Sequence, residues 1–544
     1  MSTSTPRGAQ ALVQAILQSG ADTVFSLSGN HIMPVYEALR EARVDLLHTR
    51  HEAAAVHMAD AWARLTGKVG IALVTGGPGH ANAVSALYTA AMSESPVVLL
   101  SGHAPAAMQG WGAFQEMDQV AMARPVTKAA WAVTSANTIA DDFARACRIA
   151  LSGRPGPVHL SLPTDVLEGD AREAKRPDPD AFEPMVTPLP AALAGPLLQR
   201  LRRAQRPLVL VGPQGLTGSG RQAVAQLRVQ SGIPVIATES PRGVNDPALG
   251  AFATVLAEAD CVLLAGKRLD FTLGFGRDTV FAQDCAFLQV DADTSEFDRT
   301  RQAVGQRLET AHQADLLPAL QMLAREAAHG PAPHRAWLAR VDACLAYRQP
   351  DAQRHAQQGG GTHPTAVCAP IQALLDQHPD AVLVIDGGEF GQWGQACLDA
   401  RHRITNGAAG AIGAALPMAL GAKRARPDAP VIALMGDGTF GFHCAELDTA
   451  HRYGLHILCV VGNDARWNAE YQIQLRDYGP GKTYGCELLP SRYDHVAAAL
   501  GCHGEQVLDA AQLPDALARA MASGRASCLN VMVAGLPAPT LRMA

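Results

Sequence analysis

The sequence predicts an α/β protein of three doubly wound parallel-sheet domains. Three observations carry that expectation. The chain has 544 residues, three to four times a usual domain of roughly 150 residues. Its apolar residues fall in short runs that read as strands buried on both faces, each followed by a stretch of helical period. These strand and helix units come in three sets, separated by two charged, Pro- or Gly-rich segments with no apolar period.

The opening MSTSTPRGAQALVQAIL has no basic stretch followed by an apolar core and a cleavage site, and reads as an amphipathic helix. In the first set, assigned to 1–168, TVFSLSG precedes a helix from Met33, and DLLHTR precedes a helix over Glu52 to Leu65. VGIALVTGG then precedes Ala81 to Ala91, and PVVLLSG follows as a further strand. The segment EGDAREAKRPDPDAFEPMVTP, 168–188, reads as a linker. The second set, 189–325, has RPLVLVG, IPVIATES, ADCVLLAG and AFLQVDAD as strands. A second junction follows, made of AAHGPAPHRAW, a short helix and QPDAQRHAQQGGGTHP. The third set, 360–544, has AVLVIDGG, PVIALMGDG, HILCVVGND and CLNVMVAG. First and third sets share a plan of strand, Gly-rich turn and helix.

Composition narrows the function classes. With 48% hydrophobic and 18% charged residues the chain is globular rather than disordered. A net charge of -6 offers no broad attraction for nucleic acid. The 11 cysteines contain no C-x-x-C pair, which predicts reduced thiols in a cytoplasmic protein rather than disulfides or structural zinc. The longest uncharged small-residue stretch, Gly407 to Ala422, is shorter than the roughly 20 apolar residues of a membrane span.

The sharpest chemical feature is MGDGTF, with Gly436, Asp437, Gly438 and Thr439 at the carboxyl end of an apolar strand, opening a helix that holds Glu446 and Leu447. Glycines there let backbone approach a ligand, and free N–H groups at a helix start favour phosphate. Asp437 would hold a metal. A later strand ends in Gly462-Asn463-Asp464, and magnesium takes one or two carboxylates together with ligand phosphates. The plainer alternative is a tight turn and a helix cap.

These residues resemble the thiamine diphosphate enzymes of the pyruvate oxidase, acetolactate synthase and benzaldehyde lyase group. The likeness extends to FSLSGNHIMPVYEAL, TRHEAAAVHMADAWARLTGK, ALVTGGPGHANAV, GAFQEMDQVAMARPVTK, GRPGPVHLSLPTDV, DGGEFGQW and GAAGAIGAALPMALGA, in that order. It implies a pyrimidine-binding first domain, a central domain and a diphosphate- and magnesium-binding third domain. Glu52 matches the glutamate that bonds the aminopyrimidine and favours the tautomer able to take the thiazolium C2 proton. Ile412 matches the apolar wedge between the cofactor rings, with Gly410 among its small neighbours. Asp437 and Asp464 match the side-chain metal ligands, although the common motif has Asn at the position of Asp464. The Arg466 carbonyl matches a backbone ligand, and Gly388, Glu389 and Phe390 match a loop whose main chain touches the diphosphate. His31, in a strand-to-helix turn, and Gln115 match polar groups near the reacting carbonyl, against the alternatives of a solvent-facing histidine and a surface-loop amide.

The resemblance implies an enzyme that makes or breaks a C–C bond beside a carbonyl, acting on a small keto acid, aldehyde or acyl-CoA. The overall likeness is to acetolactate synthase. Ala469 and Ile473 stand where those synthases carry methionine and tryptophan, which leans toward 2-hydroxyacyl-CoA or benzoin-type aldehyde lyases. Lys267 to Phe271 resemble the central segment of 2-hydroxyacyl-CoA lyases, so FAD, ADP or CoA could occupy the central domain, with Arg268 as a diphosphate partner or an ordinary surface arginine. A FAD-containing 2-keto acid oxidase and a non-catalytic homologue are the further alternatives. The likeness also implies a homodimer or homotetramer. Neither donor nor acceptor is read from these residues.

Overall fold

Runs such as Val97–His103 and Val158–Pro163 are buried along their whole length, as strands covered by helices on both faces must be. In the computed structural model, which describes residues 5–330, 333–348 and 361–541, these runs build three parallel sheets. The first contains β1 (Thr23–Ser26), β2 (Asp45–His48), β3 (Gly70–Val74), β4 (Val97–His103), β5 (Ala129–Ala132) and β6 (Val158–Pro163). The second contains β7 (Pro207–Val211), β8 (Val235–Ala237), β9 (Cys261–Ala265), β10 (Ala286–Asp291) and β11 (Leu308–Gln313). The third contains β12 (Val382–Ile385), β13 (His402–Thr405), β14 (Val431–Gly436), β15 (Leu458–Asn463), β16 (His503–Val507) and β17 (Ser527–Met532).

Strand order is β2-β1-β3-β4-β6-β5 in the first sheet, β11-β10-β9-β7-β8 in the second and β13-β12-β14-β15-β17-β16 in the third. The first and third orders are the same permutation, which gives the shared sequence plan a structural form. In each, succession reverses between the first and third strands, β1/β3 and β12/β14. Ligands of open α/β sheets bind outside the carboxyl ends of strands at such a switch point.

The described residues fall into two compact units. The larger combines those of 1–184, 359–391 and 399–537, and the smaller those of 185–358, 392–398 and 538–544. Within the larger unit one apolar core runs through both sheets, including Phe25, Met58 and Leu99 from the first set and Val384, Leu420 and Val461 from the third. The helices Glu52–Thr66 and Ala415–Ala425 cross so closely that a Cβ on Gly421 would collide with the Met58 carbonyl. Arg64 clamps Asp60 with two 2.7 Å bonds and donates to the Thr405 carbonyl at 2.9 Å.

In the smaller unit the helix Arg335–Ala346, read from sequence as part of a junction, packs Trp337, Val341 and Cys344 into the core and donates from Trp337 Nε1 to the Pro207 carbonyl at 2.7 Å. Most of the predicted second junction, 349–360, together with 331–332, lies outside the described residues. Arg268 is ion-paired at 3.1 Å with the buried Glu296. No helix among the described residues is long and apolar enough to cross a membrane.

Candidate active site

The first half of the site forms at the carboxyl edge of the first sheet. After β1 the chain enters a short turn, Asn30–Ile32, which buries His31 to 3% exposure rather than leaving it to solvent. Its Nδ1 lies 3.2 Å from Thr75 Oγ1 at the end of β3, and its ring stacks on Phe114 at 5.9 Å. Burial lowers the His31 pKa, a backbone hydrogen bond at Phe114 opposes this, and His103 adds to it. The imidazole is therefore neutral near pH 7, able to accept or pass a proton.

After β2, His51 caps the helix Glu52–Thr66, its Nδ1 accepting the Ala53 N–H at 3.1 Å. That places Glu52 in the first turn, buried, with Oε2 accepting from Asn82 Nδ2 at 3.0 Å. Gln115 adopts left-handed φ of 58°. All three residues meet the turn that joins β3 to the helix Pro78–Met92. A Cβ on Gly76 would lie 3.4 Å from His31 Nδ1, one on Gly77 would lie 2.8 Å from Gln115 Cβ, and one on Gly79 would lie 3.3 Å from Glu52 Oε1. Glycines let this turn pass between the three side chains.

The second half forms on the third sheet. Asp386, just after β12, accepts the N–H groups of Gly387 (2.7 Å), Gly413 (3.0 Å) and Ala415 (3.0 Å). Those bonds pin the bend that carries Ile412, whose Cγ2 lies 2.8 Å from the position of a Cβ on Gly387. Gly410 supplies positive φ of 66° on the way in. Ile412 thus precedes the helix Ala415–Ala425 instead of belonging to it. Gly388, Glu389 and Phe390 are not a loop: they open the helix Gly388–Cys397, and the Phe390 ring fills the space a Cβ on Gly462 would need. The main-chain N–H groups of such a first turn have no partners within the helix.

The predicted single helix after the GDG turn is two, Asp437–His443 and Glu446–Arg452. Thr439 Oγ1 donates to the Gly436 carbonyl at 3.0 Å, and the Trp467 ring packs over Gly438. Gly436 and Gly462 are register partners on β14 and β15, which brings Asp437 and Asp464 side by side. Burial pushes Asp437 up to about 6, against hydrogen bonds from the backbone at Gly438, Asp437 and Arg466 and with the Asp464 side chain. Burial and then the Asp437 charge push Asp464 up to about 7, with Arg466 opposing. Asp437 Oδ2 is buried without a hydrogen-bond partner. Arg466 itself stacks its guanidinium over Tyr471 at 4.4 Å.

This arrangement fits a diphosphate carried with a divalent cation. A buried and a half-buried carboxylate side by side, the buried Asp437 with an unanswered oxygen, are stabilised in the charged form by a cation. A Cβ on Gly436 or Gly388 would meet only open space, so room exists beside two helix starts. Among the described residues no cluster of three or more His, Cys, Asp or Glu could hold a metal. The remaining ligands of an octahedral ion would therefore be a carbonyl, water and phosphate oxygens.

Comparison with protein families is decisive. Residues 6–122 match the thiamine pyrophosphate enzyme N-terminal TPP binding domain, 195–321 the central domain and 386–531 the C-terminal TPP binding domain. The chain belongs to the thiamine pyrophosphate enzyme family. It is similar to an acetolactate synthase large subunit, IlvG, of Mycobacterium tuberculosis, 34% identical over 97% of this chain and 96% of the relative. It is similar as well to 2-hydroxyacyl-CoA lyase 2 of Bos taurus, 32% identical over 92% and 85%. The corresponding human protein is 31% identical over 90% and 84%. As a thiamine pyrophosphate enzyme, the protein forms or cleaves C–C bonds.

Three buried polar residues beside this site escaped sequence reading. Asp386 had a faint signal, an acid before Gly-Gly at a strand end. Gln119 and Glu446 had none, because their partners are distant in sequence: Glu446 Oε1 accepts the N–H groups of Arg50 (2.9 Å) and His51 (3.0 Å), just before Glu52.

Proposed function

We propose that the protein is a magnesium-dependent carboligase or lyase of the acetolactate synthase type. Thiamine diphosphate (pyrophosphate), when bound, supplies a carbon nucleophile that adds to a carbonyl and holds the electron pair of the broken C–C bond. The observation that carries the proposal is the pairing of Asp437 with Asp464 on one sheet and the grouping of Glu52, His31 and Gln115 on another of the same topology. Asp437, Asp464 and the Arg466 carbonyl would hold magnesium. Gly436, Gly438, Thr439 and the first turn at Gly388, Glu389 and Phe390 would hold the diphosphate. Ile412, with Gly410 beside it, would support the bent cofactor, and Glu52 would bond its aminopyrimidine. His31 and Gln115 would serve the substrate oxygen.

A second reading, 2-hydroxyacyl-CoA lyase, is favoured by Ala469 and by Ile473, which is partly exposed on the helix Asn468–Tyr478 where the synthases have tryptophan. One assay separates the two. With thiamine diphosphate and magnesium, pyruvate yielding acetolactate and carbon dioxide supports the first reading, and a 2-hydroxyacyl-CoA yielding formyl-CoA and an aldehyde supports the second. Failure of both substrates rejects both. Protein purified with flavin absorbance would favour the synthase or oxidase branch, with FAD in the central domain, and colourless protein would favour the lyases, with ADP or CoA there.

Assembly as a homodimer or homotetramer is what the family likeness implies, the Glu52 domain of one copy completing the Asp437 domain of another. Trp111 and Phe114, 79% and 68% exposed beside His31 and Gln115, give the first half an apolar rim for a second copy. The 11 cysteines are all free, which suits the cytoplasm.

A further inference from the structure

The turn Thr75–Gly79 touches Glu52, His31 and Gln115, so whatever fixes that turn sets their spacing. One side chain is built to do so. Gln119, at the start of the helix Gln119–Ala123, is buried to 1% exposure. Its Oε1 accepts the Gly77 N–H at 2.9 Å, while Nε2 donates to the Gly102 carbonyl at 3.2 Å and to Ser161 Oγ at 3.1 Å. One amide therefore ties the turn after β3 to the ends of β4 and β6. The turn needs such a tie. Gly77 has φ 57° and ψ -116°, a conformation that L side chains avoid and that lasts only where surroundings enforce it. The same Oε1 lies 3.1 Å from the position of a Cβ on Gly76, and a Cβ on Gly102 would lie 2.6 Å from His31 Cβ. Gly77, Gly102 and His31 are thus spaced around a single amide.

We infer that Gln119 is a positioning residue, whose amide holds the Gly76–Gly77 peptide in the conformation that aligns Glu52, His31 and Gln115. The inference rests on the proposed role of Glu52 toward thiamine diphosphate. The amide is the required chemistry because the site presents a donor on one side and a carbonyl on the other. A carboxylate would set a negative charge against the Gly102 carbonyl, and an aliphatic chain would leave buried Gly77 N–H unpaired. The titratable groups around it are His80, whose Nδ1 lies 2.9 Å from Ser101 Oγ, His103 at the Met117 carbonyl and His159 beside His80.

The test uses full-length protein loaded with thiamine diphosphate and magnesium. Its readout is exchange of the cofactor C2 proton with deuterated solvent, which needs no carbonyl substrate. Gln119→Leu removes all three hydrogen bonds. Gln119→Glu keeps the acceptor for Gly77, and keeps a donor toward Gly102 only while its carboxyl is protonated. In Gln119→Leu, exchange should slow on the order of 10²-fold, the cost of a misplacement of about 1 Å, with the cofactor dissociation constant changed less than about threefold. Burial at this 1% exposed position raises the new carboxyl above its ordinary value of about 4.3, so in Gln119→Glu the exchange rate relative to the native protein should recover as pH falls from about 8 to about 6. Should Gln119→Leu fail to fold, that pH-dependent ratio decides alone. Native exchange in both variants, a loss of exchange matched by loss of cofactor affinity, or a pH-independent ratio overturns the inference. Glu52→Gln run in parallel separates the two ideas: native exchange there rejects the proposed function, whereas slow exchange there with native exchange in both Gln119 variants rejects only the positioning role.

Discussion

At the residue scale, Glu52 is set apart from other first-turn glutamates by what surrounds it. A first-turn acid gains from the helix dipole in water, but Glu52 is buried with Asn82 on one oxygen and the Gly79 turn against the other. Glu52→Gln keeps the shape and removes the acid, so turnover should fall by about 10²–10⁴ while the melting temperature stays at the native value. Turnover and calorimetry on one preparation check this. Asp437 makes a different demand. Its partnerless oxygen calls for a cation, so Asp437→Asn should weaken magnesium-dependent cofactor binding by more than the roughly 10–100-fold seen for loss of outer metal-site partners. A fluorescence titration of thiamine diphosphate at fixed magnesium gives the value. Undiminished affinity would place the metal elsewhere.

At the element scale, contact between the two sheets of the larger unit depends on a glycine. Ala415–Ala425 can lie on Glu52–Thr66 only because Gly421 has no Cβ to meet the Met58 carbonyl. Gly421→Ala should therefore cost about 1–3 kcal/mol of stability through overpacking, although alanine is the better helix former. Urea unfolding measures it, and a stabilised variant would show that the helices can slide apart freely. The same scale explains which elements the sequence makes visible. β4, β9 and β14 are buried nearly throughout and stand out as apolar runs. The edge strands β5 (AAWA), β11 (LETAHQ), β13 (HRIT) and β16 (HGEQV) are half-buried, so only pairing with a neighbour makes them strands. GDG was legible because strand end, glycines and acid are contiguous. Glu52 was legible through family likeness, while Gln119 and Glu446 act on turns far away in the chain.

At the scale of the whole molecule, two sheets of one topology each offer a switch point, and the chain buries polar groups to join them. His57, on the helix opened by Glu52, faces His443, on the helix opened by Asp437, with ring centroids 6.0 Å apart. Burial, with the nearby Arg64 and His51 charges, pushes His57 down to about 3. Burial, with His57 and His51, pushes His443 to about 3 as well. A histidine held neutral in the folded state contributes stability that is present above its unfolded pKa of about 6.5 and is lost as pH falls toward the folded value. Buried Asp386, pushed up to about 6 by burial, acts in the opposite sense, since its contribution is lost as pH rises through that value. The total pH curve therefore mixes signs, and a difference between two proteins isolates one group. His57→Gln removes a single titrating site. Moving from about pH 7.5 to about pH 5, the native protein should lose on the order of 2 kcal/mol more unfolding free energy than this variant, at about 1.4 kcal/mol per pH unit below 6.5. Urea denaturation of both proteins at the two pH values gives that difference directly. A difference that stays constant with pH would mean that His57 takes up its proton in the folded state, and that the junction between the two sheets admits water.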